Sequence, residues 1–81
     1  MVSEFDKKTL KTGFKEVMGV LSQNRAVRVI IANDCDDKIK IPVSEAAKNV
    51  GIVPEYAETM RELGKACGIE VGASCAATIK F

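Results

Sequence analysis

Eighty-one residues allow one hydrophobic core, because folding at this length removes only about 60% of the extended chain's surface from water; a second domain is excluded. A hydrophobic share of 47% with 28% charged residues excludes an unstructured chain, and a net charge of +1 means that a polyanionic partner would have to be met by local charge placement. With no histidine, imidazole-based triads and the common zinc sets are excluded too.

In chain order, Phe14, Val17, Met18 and Leu21 recur at i, i+3, i+4 and i+7, which predicts a helix from Gly13 to about Asn24 with these four side chains on the core and Thr12 or Gly13 as its cap. The run "AVRVIIA", Ala26 to Ala32, is short, rich in β-branched residues and nearly all apolar, as a strand covered on both faces should be. "NDCDDK" reads as a loop. Pro42 suits the first position of a second helix, Val43, Ala46, Ala47 and Val50 supply its inner face, and Gly51 stops it. "IVPEY" reads as a strand that Pro54, lacking a donor, confines to a sheet edge. Thr59 and Glu62 form a capping-box pattern for a third helix that turns Met60, Leu63 and Cys67 inward and ends at Gly68. After the loop "IEVGAS", "CAATIKF" predicts a final strand. Strands alternating with helices make the expected architecture α/β, a three-layer sandwich in one domain over residues 1–81.

Two features invite a functional reading. Lys15, Glu16 and Gly19 fall on the side of the first helix away from its apolar stripe. A solvated face is the plain interpretation. Against it, Lys7, Lys8, Lys11 and Lys15 follow one another with no acidic residue between them, Lys15 opposes the helix dipole, and Gly19 costs about 1 kcal/mol in a helix interior. A docking surface for an anion accounts for all three. The second feature is the glycine-bounded loop from Gly68 to Ala76, whose Ile69 and Val71 either fold back onto the core or form an apolar platform for an unstacked base. Other chemistry is absent: Thr59 and Ala66 break a phosphate-loop pattern around "LGKACG", and "DCDDK" lacks the glycine and distal glutamate of a calcium loop. Cys35, Cys67 and Cys75 read as buried thiols, with a Cys67–Cys75 disulfide as the alternative. No nucleophile can be paired with a base, so an enzyme is not expected, nor any metal or cofactor. No apolar run approaches a membrane span and the opening residues lack the apolar middle of a secretory signal, so the expected location is the cytoplasm.

The segment "ELGKACGIEVGASCAA" closely resembles the C-terminal signature of the kink-turn-binding ribosomal protein family, which includes archaeal and eukaryotic large-subunit ribosomal proteins and small bacterial YbxF-type proteins. "TGFKE" sits where that family opens its RNA-reading helix with a glycine, and "VRVIIANDCD" where it carries a buried strand ending in an acidic turn, so the resemblance spans nearly the whole chain. It implies a four-stranded mixed sheet between helices, with a further short strand near "TLKT". It also implies binding of a kink-turn, a sharp RNA bend flanked by sheared G·A pairs. On that resemblance Gly13 brings its backbone close to RNA, Lys15 contacts guanine edges and Glu16 accepts from base amino groups. Ile69, Glu70, Val71, Gly72 and Ala73 pack on a flipped-out nucleotide. Gly19 departs from the family, which carries a phosphate-contacting lysine there; Lys11, Arg61 and Lys65 are the candidates to replace it.

The resulting expectation is a non-catalytic, monomeric RNA-binding protein, ribosomal or ribosome-associated, whose partner is structured kink-turn RNA and not a membrane. The alternative is a protein-interaction or assembly module that keeps the fold and turns the apolar loop toward a protein.

Overall fold

A computed structural model describes residues 10–69 and 71–79. Seven elements follow one another: β1 (Leu10–Thr12), α1 (Phe14–Ser22), β2 (Ala26–Ala32), α2 (Asp37–Asn49), β3 (Glu55–Ala57), α3 (Met60–Ala66) and β4 (Cys75–Ile79). The strands form one mixed sheet in the order β1-β4-β2-β3. β4 is antiparallel to both neighbours while β2 and β3 are parallel, so β1, β2 and β3 all run the same way. The connections β1-α1-β2 and β2-α2-β3 both move across the sheet in one direction, and right-handed crossovers then place α1 and α2 on the same face. They pack on each other, whereas α3 touches β2, β3 and β4 but neither of the other helices, so it covers the opposite face. This is the expected three-layer sandwich, including the short first strand implied by resemblance.

β2 has the expected bounds, and its Val29, Ile30, Ile31 and Ala32 are fully buried between the two helical layers. β3 lies at the sheet edge, as expected, but it is shorter than "IVPEY" suggested and starts only after the proline, so Pro54 stands outside the ladder and is not what confines the strand to the edge. α2 begins earlier than expected. Asp36 caps it by accepting the Lys38 N–H at 3.0 Å, so Asp37 and Lys38 are already helical and Pro42 lies inside the helix instead of opening it. The proline removes a bond that would have gone to the Lys38 carbonyl; Lys38 is exposed, and water can take the vacant acceptor.

In α1, Val17 and Leu21 are buried and Met18 packs against the core, but Phe14 is 38% exposed and Val20 fills the place assigned to it. The reason is angular: positions 17, 20 and 21 centre the buried stripe, and residue 14 falls on its margin. Met60, also expected inside, is 37% exposed, while Leu63 and Cys67 are buried as expected. Thr59 performs half of the capping box, its hydroxyl accepting the Glu62 N–H at 3.0 Å. All three cysteines are free and buried, and no Cys67–Cys75 bond exists. Burial raises all three thiols above the ordinary cysteine range, Cys75 to about 11. No helix among the described residues is long and apolar enough to cross a membrane.

Candidate nucleic-acid interface

Because β1, β2 and β3 are parallel and each feeds a helix, the N-termini of α1, α2 and α3 gather at one end of the sheet, where β4 begins. Helix N-termini expose N–H groups without intrahelical partners and carry partial positive charge, so this end of the molecule is the natural place for an anion. Two of the three tips are closed by side chains: Asp36 caps α2, and Thr59 caps α3. α1 differs. Among the described residues no side chain caps it, and its N-cap position is Gly13.

Gly13 adopts φ 91° and ψ 156°, a conformation that only glycine enters without strain. The turn is needed because Gly13 closes β1 and opens α1 at once: its N–H donates to the Cys75 carbonyl at 3.0 Å, and its carbonyl accepts the Val17 N–H at 3.0 Å. A side chain at this position would meet nothing within 4 Å, so the backbone is open to close approach from outside. Lys15, Glu16 and Gly19 are exposed on the outer side of the same helix, and a side chain at Gly19 would also enter open space. Lys11 is half-buried on β1, an edge strand, two residues before the tip.

The bond from Gly13 to Cys75 also makes the second feature a neighbour of the first, since Cys75 directly follows the loop that reaches back to α3. Within that loop Ile69 folds onto the core and Val71 is 71% exposed, so the two apolar residues divide between the roles considered for them. Gly72 is exposed. Ala73 is buried, with 4% exposure, so its methyl belongs to the core and only its backbone belongs to the loop. Glu70, Lys7 and Lys8 lie outside the described residues. Arg61 and Lys65 are exposed on α3, the helix on which the loop rests.

Sequence reasoning missed how that loop is held. The Ile69 N–H donates to the Gly64 carbonyl and the Ala73 N–H to the Met60 carbonyl, both at 3.0 Å. Between these clamps the chain passes directly over Gly64, where an added Cβ would collide with the Val71 carbonyl oxygen and lie 3.1 Å from the Gly72 Cα. Position 64 is therefore held to glycine by the loop that crosses it. Its only mark in the sequence is a glycine inside a helix, which usually signals weakness. Asp34, in the segment that reads only as a loop, is engaged as well: its Oδ1 accepts the Met60 N–H at 2.7 Å.

Set against known protein families, residues 3–81 match the one described as the ribosomal protein L7Ae/L30e/S12e/Gadd45 family. The chain belongs to that family. Among its relatives, an RNA-binding protein of Geobacillus sp. (strain WCH70) is 40% identical over 68 residues, covering 84% of this chain and 83% of its own. The RNA-binding protein YbxF of Geobacillus stearothermophilus is 35% identical, with the same shares covered. The large ribosomal subunit protein eL8 of Haloquadratum walsbyi is 35% identical over 91% of this chain, which spans 62% of the archaeal protein. In three dimensions the chain is similar to a Giardia lamblia 15.5 kD RNA-binding protein, with a TM-score of 0.83 and 27% identity over 91% of this chain and 62% of that one. These relatives and this structural neighbour are named as RNA-binding and ribosomal proteins, not as enzymes.

Proposed function

We propose that this L7Ae-family chain is a non-catalytic RNA-binding protein that recognises kink-turn RNA by inserting the tip of α1 into the widened groove. The observation that carries the reading is the glycine-opened helix tip, without a side-chain cap among the described residues, tied by the Gly13 N–H to the start of β4 where the loop that exposes Val71 ends. First-turn amides without a side-chain acceptor can donate to a phosphate. Lys15 can donate to guanine edges and Glu16 can accept from base amino groups, while Val71, with the backbone of residues 72 and 73, offers an apolar surface to an unstacked base. Ile69 supports that surface from the core side; Glu70 belongs to it by resemblance. The names of the relatives agree in class. Gly19 supplies no cation, and Lys11, Arg61 and Lys65 are the candidates to replace it. We assign the protein to the cytoplasm, as a monomer, on or near the ribosome.

Titration of a kink-turn RNA and a straight duplex of equal length, at two salt concentrations, tests the reading. Tighter binding of the bent RNA is expected, with a salt slope that counts the phosphates engaged. Equal affinities would overturn it. The exposure of Val71 favours one other reading, a protein-interaction module; capture of a partner that survives nuclease and depends on Val71 would select it.

A further inference from the structure

The turn after β2 is unusually well fastened for an exposed acidic segment. The Asn33 N–H donates to the Ala57 carbonyl at 2.8 Å and the Cys35 N–H to the Ala32 carbonyl at 3.2 Å, while Lys40 Nζ reaches the Asn33 carbonyl at 2.6 Å. Asp34 sits within these three bonds, and its carboxylate reaches across 26 residues of sequence to the Met60 N–H. Met60 opens α3, so its amide has no partner within the helix. The Thr59 hydroxyl is turned to the Glu62 N–H, further into the helix, and the Met60 N–H goes to Asp34 instead. On its other side Met60 holds the loop: its carbonyl accepts the Ala73 N–H at 3.0 Å, and a Cβ on Gly72 would stand 3.2 Å from the Met60 Cβ. One residue thus joins the end of β2 to the segment that exposes Val71.

We propose that Asp34 is a positioning residue for RNA binding, which fixes the loop at residues 71–73 through the backbone of Met60. The proposal rests on the kink-turn reading above. α3 has seven residues, too few to hold its own first turn in place without tertiary anchors. A carboxylate acceptor makes that anchor charge-assisted and correspondingly stiff. Without it the Met60 amide turns to water, the first turn of α3 loosens, and Val71 no longer stands at a fixed height over α3.

The test is kink-turn titration of Asp34→Ala and Asp34→Asn. The alanine variant should bind about tenfold more weakly, the expected expression of one lost hydrogen bond to a charged group, whereas asparagine keeps an Oδ1 acceptor and should bind within about threefold of wild type. Coupling separates positioning from general damage: Val71→Ala should cost little more once Asp34 is alanine, while Lys15→Ala should cost as much as in wild type. Full additivity with Val71→Ala, or unchanged binding by Asp34→Ala, would overturn the proposal. If Asp34→Ala does not fold, Met60→Pro removes the donor at a helix position where proline is accepted. Thr59, at φ −139° and ψ 159°, already has the extended backbone that a following proline requires. Binding loss in Met60→Pro beyond that of Met60→Ala supports the proposal, and equal losses overturn it. Wild-type protein that cannot distinguish bent from straight RNA would instead overturn the kink-turn reading itself.

Discussion

Gly64→Ala should destabilise the protein although alanine is the better helix former. The substitution returns about 1 kcal/mol of helix propensity. Against that, the new methyl collides with the Val71 carbonyl oxygen and crowds the Gly72 Cα at 3.1 Å. Both obstacles are backbone, clamped on either side by the bonds to Gly64 and Met60, so no side-chain rotation relieves them. Overpacking of this kind costs about 1–3 kcal/mol, and fixed obstacles place it in the upper half of that range. The net is a loss of about 1–2 kcal/mol, which lowers Tm by about 4–16 °C in a domain of this size. Gly19→Ala is the matched control: it also sits inside a helix, but nothing lies within 4 Å of its Cβ, so it should gain about 1 kcal/mol and raise Tm by about 4–8 °C. Thermal and urea unfolding of the two variants provide the measurement. Two shifts of the same sign would refute the argument that loop contact, not helix propensity, governs position 64.

Other outcomes follow from the same geometry. Lys15→Ala should weaken kink-turn binding by roughly 5- to 150-fold, the range for losing a base-edge contact, with the far-ultraviolet spectrum unchanged because the side chain is exposed. Gly19→Lys should strengthen binding and steepen the log–log salt dependence by about one unit, since the added side chain enters open space beside Lys15; an unchanged slope would mean that no phosphate lies there. Arg28 grips Glu55 with two bonds of 2.7 and 2.6 Å, and this hydrogen bonding holds the carboxyl below its ordinary range. A folded value below the unfolded one stabilises above the unfolded range and is lost as pH falls through the folded value. With side chains 38% and 47% exposed the pair contributes only about 0.5 kcal/mol, so the urea midpoints of wild type and Glu55→Gln should differ slightly at neutral pH and converge in acid. Finally, a disulfide reagent at pH 8 should leave the three buried thiols nearly untouched in folded protein and titrate all three in denaturant.

What could be read from the sequence was what is written locally. β2 announced its limits because its residues are β-branched and face helices on both sides, and the cap at Thr59 is a hydroxyl acting three residues away. Pro42 misled because it imitates a helix start, whereas the true cap is an aspartate within a run of acids in which no single member stands out. Phe14 was placed inside by a periodicity that Val20 satisfies better. At the candidate site the outward residues of α1 could be inferred from angle alone. The support beneath the loop could not, since Gly64 and Asp34 act on residues that only the folded chain brings near: Gly64 reads as a defect until Val71 crosses it, and Asp34 meets an amide 26 positions away.

The position of β4 bears on how the protein is made. Among the described residues the last strand, β4, lies between β1 and β2, and it alone pairs with β1. A nascent polypeptide emerging from its N-terminus must therefore keep the first strand unmatched until residues 75–79 have cleared the exit tunnel, which takes seconds at ordinary rates of synthesis. The Gly13 amide likewise waits for the Cys75 carbonyl. A chain cut short of residue 75 would therefore lack the bond that ties the start of α1 to the sheet.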